Sequence, residues 1–232
     1  MANDLASQKY SEFLLYLAQE TAKGSESLPS LDQLSVTHGI SVSSLREELQ
    51  VARSMGFVEV KPRTGIRILP YSFKPAVLTS LTYAVNIDSK NFRQFSDLRN
   101  HIEASYWYPA VSRLHQEDIE ELANIIEIAN KKLHSDPIQV PHDEHRQLHL
   151  TIFKRLENQF VKGILEAYWD IYEAVGLSVY EDRKYLERVW LYHKQMVEAV
   201  SNADFLNGYQ ALIAHMDLLF QREQENSKNY FE

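Results

Sequence analysis

The chain of 232 residues is 44% hydrophobic and 24% charged, a balance typical of a globular protein with a buried core. The absence of cysteine excludes disulfides and thiolate metal sites, and it suits a reducing cytoplasm. The N-terminus lacks the basic and apolar blocks of a signal peptide, and no apolar stretch approaches the roughly 20 residues of a membrane helix. We therefore expect a cytoplasmic protein that does not bind a membrane.

The net charge of −8 is unevenly distributed along the chain. Residues 1–70 hold seven Lys or Arg and eight Asp or Glu, whereas the remainder holds 17 basic and 24 acidic residues. Because an acidic surface repels nucleic acid, we expect any DNA-binding surface to lie within the first 70 residues.

The pattern of the first 70 residues predicts three helices followed by a hairpin. Apolar residues at helical spacing over 10–18 indicate the first helix. Ser30 is suited to cap the second helix, and Ser41 is suited to cap the third after a glycine turn. Hydrophobic and polar residues alternate on both sides of residues 62–65, as in two short strands. Elements in this order predict a winged helix-turn-helix DNA-binding domain over residues 1–70.

Beyond residue 75 only helical periodicity remains. Residues 71–75, a segment flanked by proline, are interpreted as a linker, and residues 76–232 as an all-helical ligand-sensing domain. The predicted fold class is mainly α, with an N-terminal winged helix-turn-helix and a C-terminal antiparallel α-helical bundle. The bundle helices are predicted near 76–86, 90–110, 116–133, 140–157, 159–177, 181–201 and 203–223.

The predicted third helix and the hairpin carry side chains that suit DNA. In a helix-turn-helix, the N-terminal residues of the second helix of the pair reach the major groove, where Arg46 suits a guanine edge or a phosphate. Each such residue alone is more readily explained as an ordinary exposed side chain. Together they line the two elements that a winged helix presents to DNA. The predicted DNA-binding residues are Ser43, Ser44, Arg46, Lys61, Arg63 and Arg67.

Four of the nine histidines have a spacing that suits a metal site. His145 and His149 are four residues apart, hence on one face of a helix. His193 and His215 each lie within an apolar stripe and should point into the bundle. Inward imidazoles from three helices can converge on Zn²⁺, Ni²⁺, Cu²⁺ or Fe²⁺. The residues alone do not decide between a metal site and four core histidines that are satisfied by hydrogen bonds.

The segment from Leu28 to Arg46 resembles the GntR family of bacterial transcription regulators, and the resemblance continues over residues 55–65. It implies a DNA-binding regulator, and a helix-turn-helix that reads the two halves of a palindromic operator is expected to be a homodimer. The sequence departs from the family pattern at two places, and both departures concern operator sequence and affinity rather than the fold. Residues 31–33 and Val42 occupy places where the family often has arginine.

The segment from about Val77 to Arg222 resembles the helical FCD effector domain of the FadR-type branch of this family. The resemblance implies a metal ion held by an Asp and a His four residues apart and by one His from each of two later helices. His145 stands where the family usually has the Asp, either as a fourth histidine ligand or outside the ligand set. The implied cofactor is a divalent ion such as Zn²⁺ or Ni²⁺, and the histidines that match are His149, His193 and His215.

The same resemblance implies that Arg99 faces an effector cavity. A planar guanidinium there can hold a carboxylate, although an exposed surface arginine is the alternative. The predicted function is therefore a transcription regulator whose binding to double-stranded operator DNA is controlled by a small carboxylate effector, bound through a metal ion in the helical domain.

Three alternatives remain at this level. The histidines could bind an organic effector without metal, or the protein could be an interaction module that binds DNA weakly. A metal-dependent helical-bundle enzyme is the third alternative, and two observations speak against it. Arg146 stands where the His-Glu-x-x-His motif of zinc proteases has its general base, and the chain contains no Glu-x-x-His pair.

Overall fold

The computed structural model describes residues 11–62, 65–174 and 183–229, with their side chains except at 173 and 219–229. The chain divides into two units, Met1–Ala76 and Val77–Glu232. A helix begins at Lys74, inside the segment interpreted as a linker. The division into two domains and a linker at 71–75 stays a prediction.

Local capping signals set the helices of the first unit. The hydroxyl of Ser41 accepts a hydrogen bond from the backbone N–H of Ser44 at 3.2 Å, and Ser30 forms a reciprocal capping box with Gln33. Gly39 ends the second helix at a φ of 70°, a conformation that other residues adopt at a cost. These three predicted signals are confirmed. The helices are α1 (Glu12–Ala22), α2 (Leu31–His38) and α3 (Val42–Ser54).

The predicted hairpin is part of a three-stranded sheet. Strands β2 (Val58–Lys61) and β3 (Gly65–Ile68) pair antiparallel, with Val58 opposite Ile68. Strand β1 (Ser27–Leu28), which was not predicted, pairs antiparallel with the other side of β3. A strand of two residues is too short to show the alternation that indicates a strand. Helices and sheet together confirm the winged helix-turn-helix.

The core of the first unit determines which face of α3 is exposed. Leu45 and Leu49 are buried one turn apart, so the opposite face of the helix, including Arg46, lies at the surface. The buried residues of this core come from all three helices and from the sheet: Phe13, Leu17, Leu28, Leu34, Leu45, Leu49, Ala52, Val58, Ile66 and Ile68.

All regular structure in the described part of the second unit is helical, which confirms the predicted bundle. None of the helices within residues that the structure describes has the length and apolarity needed to cross a membrane. The helices are α4 (Lys74–Ile87), α5 (Lys90–Val111), α6 (Gln116–Leu133), α7 (His142–Phe153), α8 (Gln159–Ala174), α9 (Arg183–Ser201) and α10 (Phe205–Asn229).

Helix α10 continues to Asn229, beyond the predicted end near residue 223, and two other helix boundaries differ from the prediction for local reasons. Helix α7 ends at Phe153 rather than near residue 157, because Asn158 is used to begin the next helix. Its side-chain oxygen accepts hydrogen bonds from the N–H groups of Phe160 and Val161 at 3.0 and 3.2 Å. Helix α10 begins at Phe205 rather than near 203, since Ala203 has a φ of 56°. The predicted helix end at 177 and start at 181 lie outside the described residues.

A close contact between α5 and α10 fixes one side of the bundle. The indole N–H of Trp107, a fully buried side chain, donates to the carbonyl of Phe205 at 2.9 Å. One turn further along α10, a Cβ atom placed on Gly208 would lie 2.6 Å from the Trp107 ring. The two helices therefore approach as closely as a glycine allows. This packing places the inward face of α10, which carries His215, beside α5 and α9.

Candidate functional sites

Four histidines from three helices of the second unit meet in its interior. His145 and His149 come from α7, His193 from α9 and His215 from α10. One ring nitrogen from each lies within 4.8 Å of the corresponding atoms of the other three. His149 Nε2 and His193 Nε2 are 3.2 Å apart. The structure thus brings together all four histidines singled out in the sequence.

Helical periodicity explains why these side chains point inward. His145 and His149 are separated by about one turn, so both face the side on which α7 packs. His193 lies in the buried stripe that includes Trp190 and Val197 of α9, and it is fully buried. His215 has 3% exposure, beside buried Leu212 and Met216. Periodicity predicts only that a side chain faces the core, and it predicts the same for an apolar side chain. Spacing alone therefore left the role of the histidines open.

Desolvation inside the bundle favours the neutral form of the four imidazoles. Desolvation is the largest cause that lowers the pKa of each ring well below the ordinary value of histidine. The neighbouring positive charge of Arg99 lowers the pKa of His149 further. A neutral imidazole keeps a lone pair on one nitrogen, and that lone pair is what a metal ion requires.

The donor atoms fit a divalent metal ion. Within the part of the chain that the structure describes, His145 Nε2, His193 Nδ1 and His215 Nδ1 are buried and have no hydrogen-bond partner. Buried polar atoms without a partner are rare in folded proteins, and a bound ion is one of the usual reasons. Four neutral nitrogen donors suit borderline ions such as Zn²⁺ and Ni²⁺ better than Mg²⁺ or Ca²⁺.

Arg99 is buried against the histidine cluster rather than exposed. Its side chain has 1% exposure, and its guanidinium lies over the rings of Tyr168 and Trp169 at 4.8 and 5.2 Å. One terminal nitrogen is 3.0 Å from Nδ1 of His149, and another donates to the side-chain oxygen of Asn100 at 3.0 Å. The alternative of a surface arginine is therefore wrong.

Glu103 completes this network and was missed in the sequence. Its fully buried carboxylate lies 2.9 Å from Nε of Arg99, as an ion pair rather than an aligned hydrogen bond, and 3.1 Å from Nδ1 of His149. Burial raises the pKa of Glu103, and the Arg99 charge opposes that shift. The one sequence signal is that Arg99 and Glu103 are four residues apart and hence share one helix face, which does not tell whether the pair is buried.

A small chamber adjoins the cluster. Its volume is about 20 Å³, which is room for about one water molecule. His145 and His215 form part of its wall, and the aromatic rings of Tyr172, Tyr185 and Trp190 form another part. Any group that binds beside the histidines in this conformation is therefore compact.

The candidate DNA contacts lie on α3 and the sheet of the first unit. Ser43 and Arg46 are exposed on the first turns of α3, whereas Ser44 is half-buried and its N–H is capped. In the sheet, Glu59 forms ion pairs with Lys61 at 2.8 Å and with Arg67 at 3.4 Å. Both basic side chains are more than half exposed. Arg63, the remaining predicted contact, lies outside the described residues.

Comparisons with known proteins agree with this arrangement. Residues 94–218, which include Arg99 and all four clustered histidines, match the FCD domain. The structure of a GntR protein from Streptococcus agalactiae is similar, with a TM-score of 0.61 and 16% identity over 84% of this chain and 89% of that chain. A structure of Lar, which controls the expression of the Listeria monocytogenes agr system, has a TM-score of 0.50 and 14% identity over 91% and 94%. No curated protein matches significantly in sequence. At these identities, the two structures show that the fold is similar and nothing more.

Proposed function

Because this chain belongs to the FCD-domain family and is a FadR-type transcription regulator of the GntR family, we propose that its DNA binding is controlled by a small carboxylate effector bound through a divalent metal ion. Regulators of the GntR family bind DNA. The family consists of transcription regulators, which sets aside the alternative of a metal-dependent enzyme. We further propose that the protein acts in the cytoplasm as a homodimer on a palindromic operator.

The observation that carries this proposal is the cluster of four imidazoles, three buried and that of His145 half-buried, with donor atoms within 4.8 Å of one another. His149, His193 and His215 would hold the ion, with His145 as a fourth donor. When bound there, a divalent ion supplies a positive charge and an acceptor position for a carboxylate oxygen. Arg99 lies beside the cluster and adds a second positive charge that attracts the same carboxylate.

Control of DNA binding needs only a modest coupling between the two units. An effector that binds one arrangement of the DNA-binding units better than another shifts operator occupancy. A coupling free energy of about 1–3 kcal/mol changes affinity several-fold to about a hundredfold. We propose that Ser43, Ser44 and Arg46 of α3 contact the operator. Lys61, Arg63 and Arg67 of the wing would contact the DNA backbone.

Metal analysis of the protein purified without an affinity tag tests the metal assignment directly. We expect about one Zn²⁺ or Ni²⁺ per chain in the wild type, in line with a single site, and loss of that metal in His149→Ala. Retained stoichiometric metal in the variant would contradict the assignment of His149. Absence of metal from the wild type, even after supplying Zn²⁺, Ni²⁺ and Mn²⁺, would overturn the metal-linked sensor and favour a metal-free effector pocket.

The DNA contact is tested with a variant of Arg46. We expect Arg46→Ala to weaken operator binding by roughly 1–3 kcal/mol, the range for one base contact, with an unchanged circular dichroism spectrum. Arg53→Ala, at the other end of the same exposed helix face, is the matched control and should bind the operator like the wild type. Equal affinities of both variants, measured by fluorescence anisotropy, would refute the role of Arg46.

A further inference from the structure

One face of the hairpin formed by β2 and β3, the wing, carries three charged side chains. Glu59 stands directly opposite Arg67 in the antiparallel ladder, so both project from the same face. Lys61 follows Glu59 by two residues and therefore shares that face. The other face packs into the core of the first unit, where Val58 and Ile68 are buried. The charged face is the side of the wing that points to solvent.

The carboxylate of Glu59 is shared between the two basic side chains. Its Oε2 atom lies 2.8 Å from Nζ of Lys61, and its Oε1 atom accepts a hydrogen bond from Arg67 at 3.4 Å. The hydrogen bond from Lys61 lowers the pKa of Glu59, so the carboxylate is ionised at neutral pH. The side chain of Glu59 has 27% exposure, whereas those of Lys61 and Arg67 have 60% and 66%. The two cations therefore remain accessible to a further partner on their solvent side.

DNA phosphates can compete with Glu59 for these cations. An exposed ion pair is weak, because water screens both charges and the long side chains lose conformational freedom. A phosphate can therefore replace the carboxylate, but the replacement leaves a negative charge next to the DNA. Binding through the wing is then weaker by the free energy of the two ion pairs and by the repulsion of the carboxylate. This loss applies to every DNA sequence, since phosphate contacts carry no sequence information.

We propose that Glu59 is an internal competitor of DNA phosphates for Lys61 and Arg67, and that it limits the sequence-independent binding of this regulator to DNA. The inference rests on the proposed function, in which Lys61 and Arg67 contact the DNA backbone. Such a limit is useful to a regulator, because a genome offers a large excess of competing nonspecific sites. A glutamate that only ordered the hairpin would have the opposite effect, since its loss would leave both cations less ordered and DNA binding weaker.

The test is the binding of a fluorescein-labelled DNA duplex of mixed sequence, measured by fluorescence anisotropy between about 50 and 200 mM salt. The variant Glu59→Gln keeps the shape of the side chain and removes its charge. We expect it to bind the duplex roughly two- to tenfold more tightly at the lowest salt. The slope of log affinity against log salt should steepen by about 0.9 for each further phosphate contact, because each contact releases counterions. Unchanged or weaker binding would overturn the inference.

The matched control is Glu127→Gln, which removes the same charge from an ion pair of the second unit, 3.9 Å from Lys131. This variant should keep the wild-type affinity and slope. The gain from Glu59→Gln should vanish when Lys61 and Arg67 are both replaced by alanine, because no cation is then released. A gain that persists in that background, or that Glu127→Gln reproduces, would indicate general charge repulsion and contradict the competition.

Failure of the proposed function gives a different result. If Lys61→Ala combined with Arg67→Ala binds the duplex like the wild type, the wing does not contact DNA, which contradicts the proposed contacts and this inference together. If that double variant binds more weakly while Glu59→Gln binds like the wild type, the proposed contacts stand and only the inference fails. Circular dichroism checks the fold of each variant. Glu59→Thr, with a residue that suits a strand, replaces the glutamine variant if that one does not fold.

Discussion

At the scale of single residues, the two ring nitrogens of His149 lie in different surroundings. Nδ1 is 3.1 Å from a carboxylate oxygen of Glu103, whereas Nε2 is 3.2 Å from Nε2 of His193. The carboxylate of Glu103 favours the tautomer with the proton on Nδ1 and the lone pair on Nε2, whereas the guanidinium of Arg99, 3.0 Å from the same Nδ1, favours the opposite tautomer. We propose that, when a metal ion takes the lone pair of Nε2, Glu103 accepts the proton of Nδ1 and orients the ring of His149.

We expect Glu103→Gln to lower zinc affinity by about ten- to a hundredfold, the usual effect of losing such a hydrogen-bonding partner. A competition titration with a chelator measures it. Asp118→Asn is the control, because Asp118 is a fully buried carboxylate paired with Arg155 and Lys154 instead. This second variant should lose stability but keep its zinc affinity. Equal zinc affinities in both variants would mean that Glu103 has only a structural role.

The residues of the candidate site differ in how far the sequence predicts them. The histidines were predictable, because the i, i+4 spacing and the apolar stripes determine that they point inward. The role of His145 was not predictable. Its spacing places it on the correct face of α7, but does not show whether its donor atom reaches those of the other three histidines. Glu103 was missed because a glutamate on a helix is usually exposed, and only the packing of α5 against α7 shows that it is buried.

At the scale of helices and strands, α5 and α10 meet at a close contact between Trp107 and Gly208. Alanine has a higher helix propensity than glycine, yet a Cβ atom at position 208 would lie 2.6 Å from Trp107. We expect Gly208→Ala to destabilise the protein by roughly 1–3 kcal/mol, the usual effect of overpacking. Urea denaturation measures the free energy of unfolding.

A double-mutant cycle separates this overlap from other effects of the alanine. Trp107→Phe removes the outer ring atoms that the new Cβ would meet, and it also leaves a cavity of its own. In that background, Gly208→Ala should be less destabilising than in the wild type. A purely additive cycle would contradict the steric explanation.

The elements whose ends carry local signals were predicted best. Ser30, Ser41 and Gly39 act within a few residues of themselves, so the sequence is enough to locate the ends that they form. The end of α7 was placed four residues too late, because Asn158 suits either a helix interior position or the cap of the next helix. Strand β1 depends on hydrogen bonds to β3, about 40 residues away along the chain, which no local pattern reveals.

At the scale of the whole molecule, the neutral histidines make stability depend on pH. Their pKa values are lowered in the folded protein, whereas in the unfolded chain they return to about 6.5. Below that pH the unfolded state binds more protons, so the free energy of unfolding decreases as the pH falls. We expect the metal-free protein to lose stability progressively from about pH 7 to about pH 5.

The variant His193→Leu should flatten this pH dependence, because it removes one group that takes up a proton on unfolding. The exposed His134 has no comparable burial, so His134→Leu should keep the wild-type slope. Chemical denaturation at several pH values measures the slope. An identical slope in the His193 variant and the wild type would contradict burial of a neutral imidazole at that position.

The path of the chain between the clustered histidines has a further consequence. His149 and His193 are 44 residues apart, and His215 follows 22 residues later. An ion that joins them would act as a cross-link, closing two large loops and reducing the conformational entropy of the unfolded chain, as disulfides do. In a chain without cysteine this cross-link needs no oxidant, and it opens again when the ion is removed. The resistance of the bundle to thermal unfolding should then rise with the concentration of free metal ion around it.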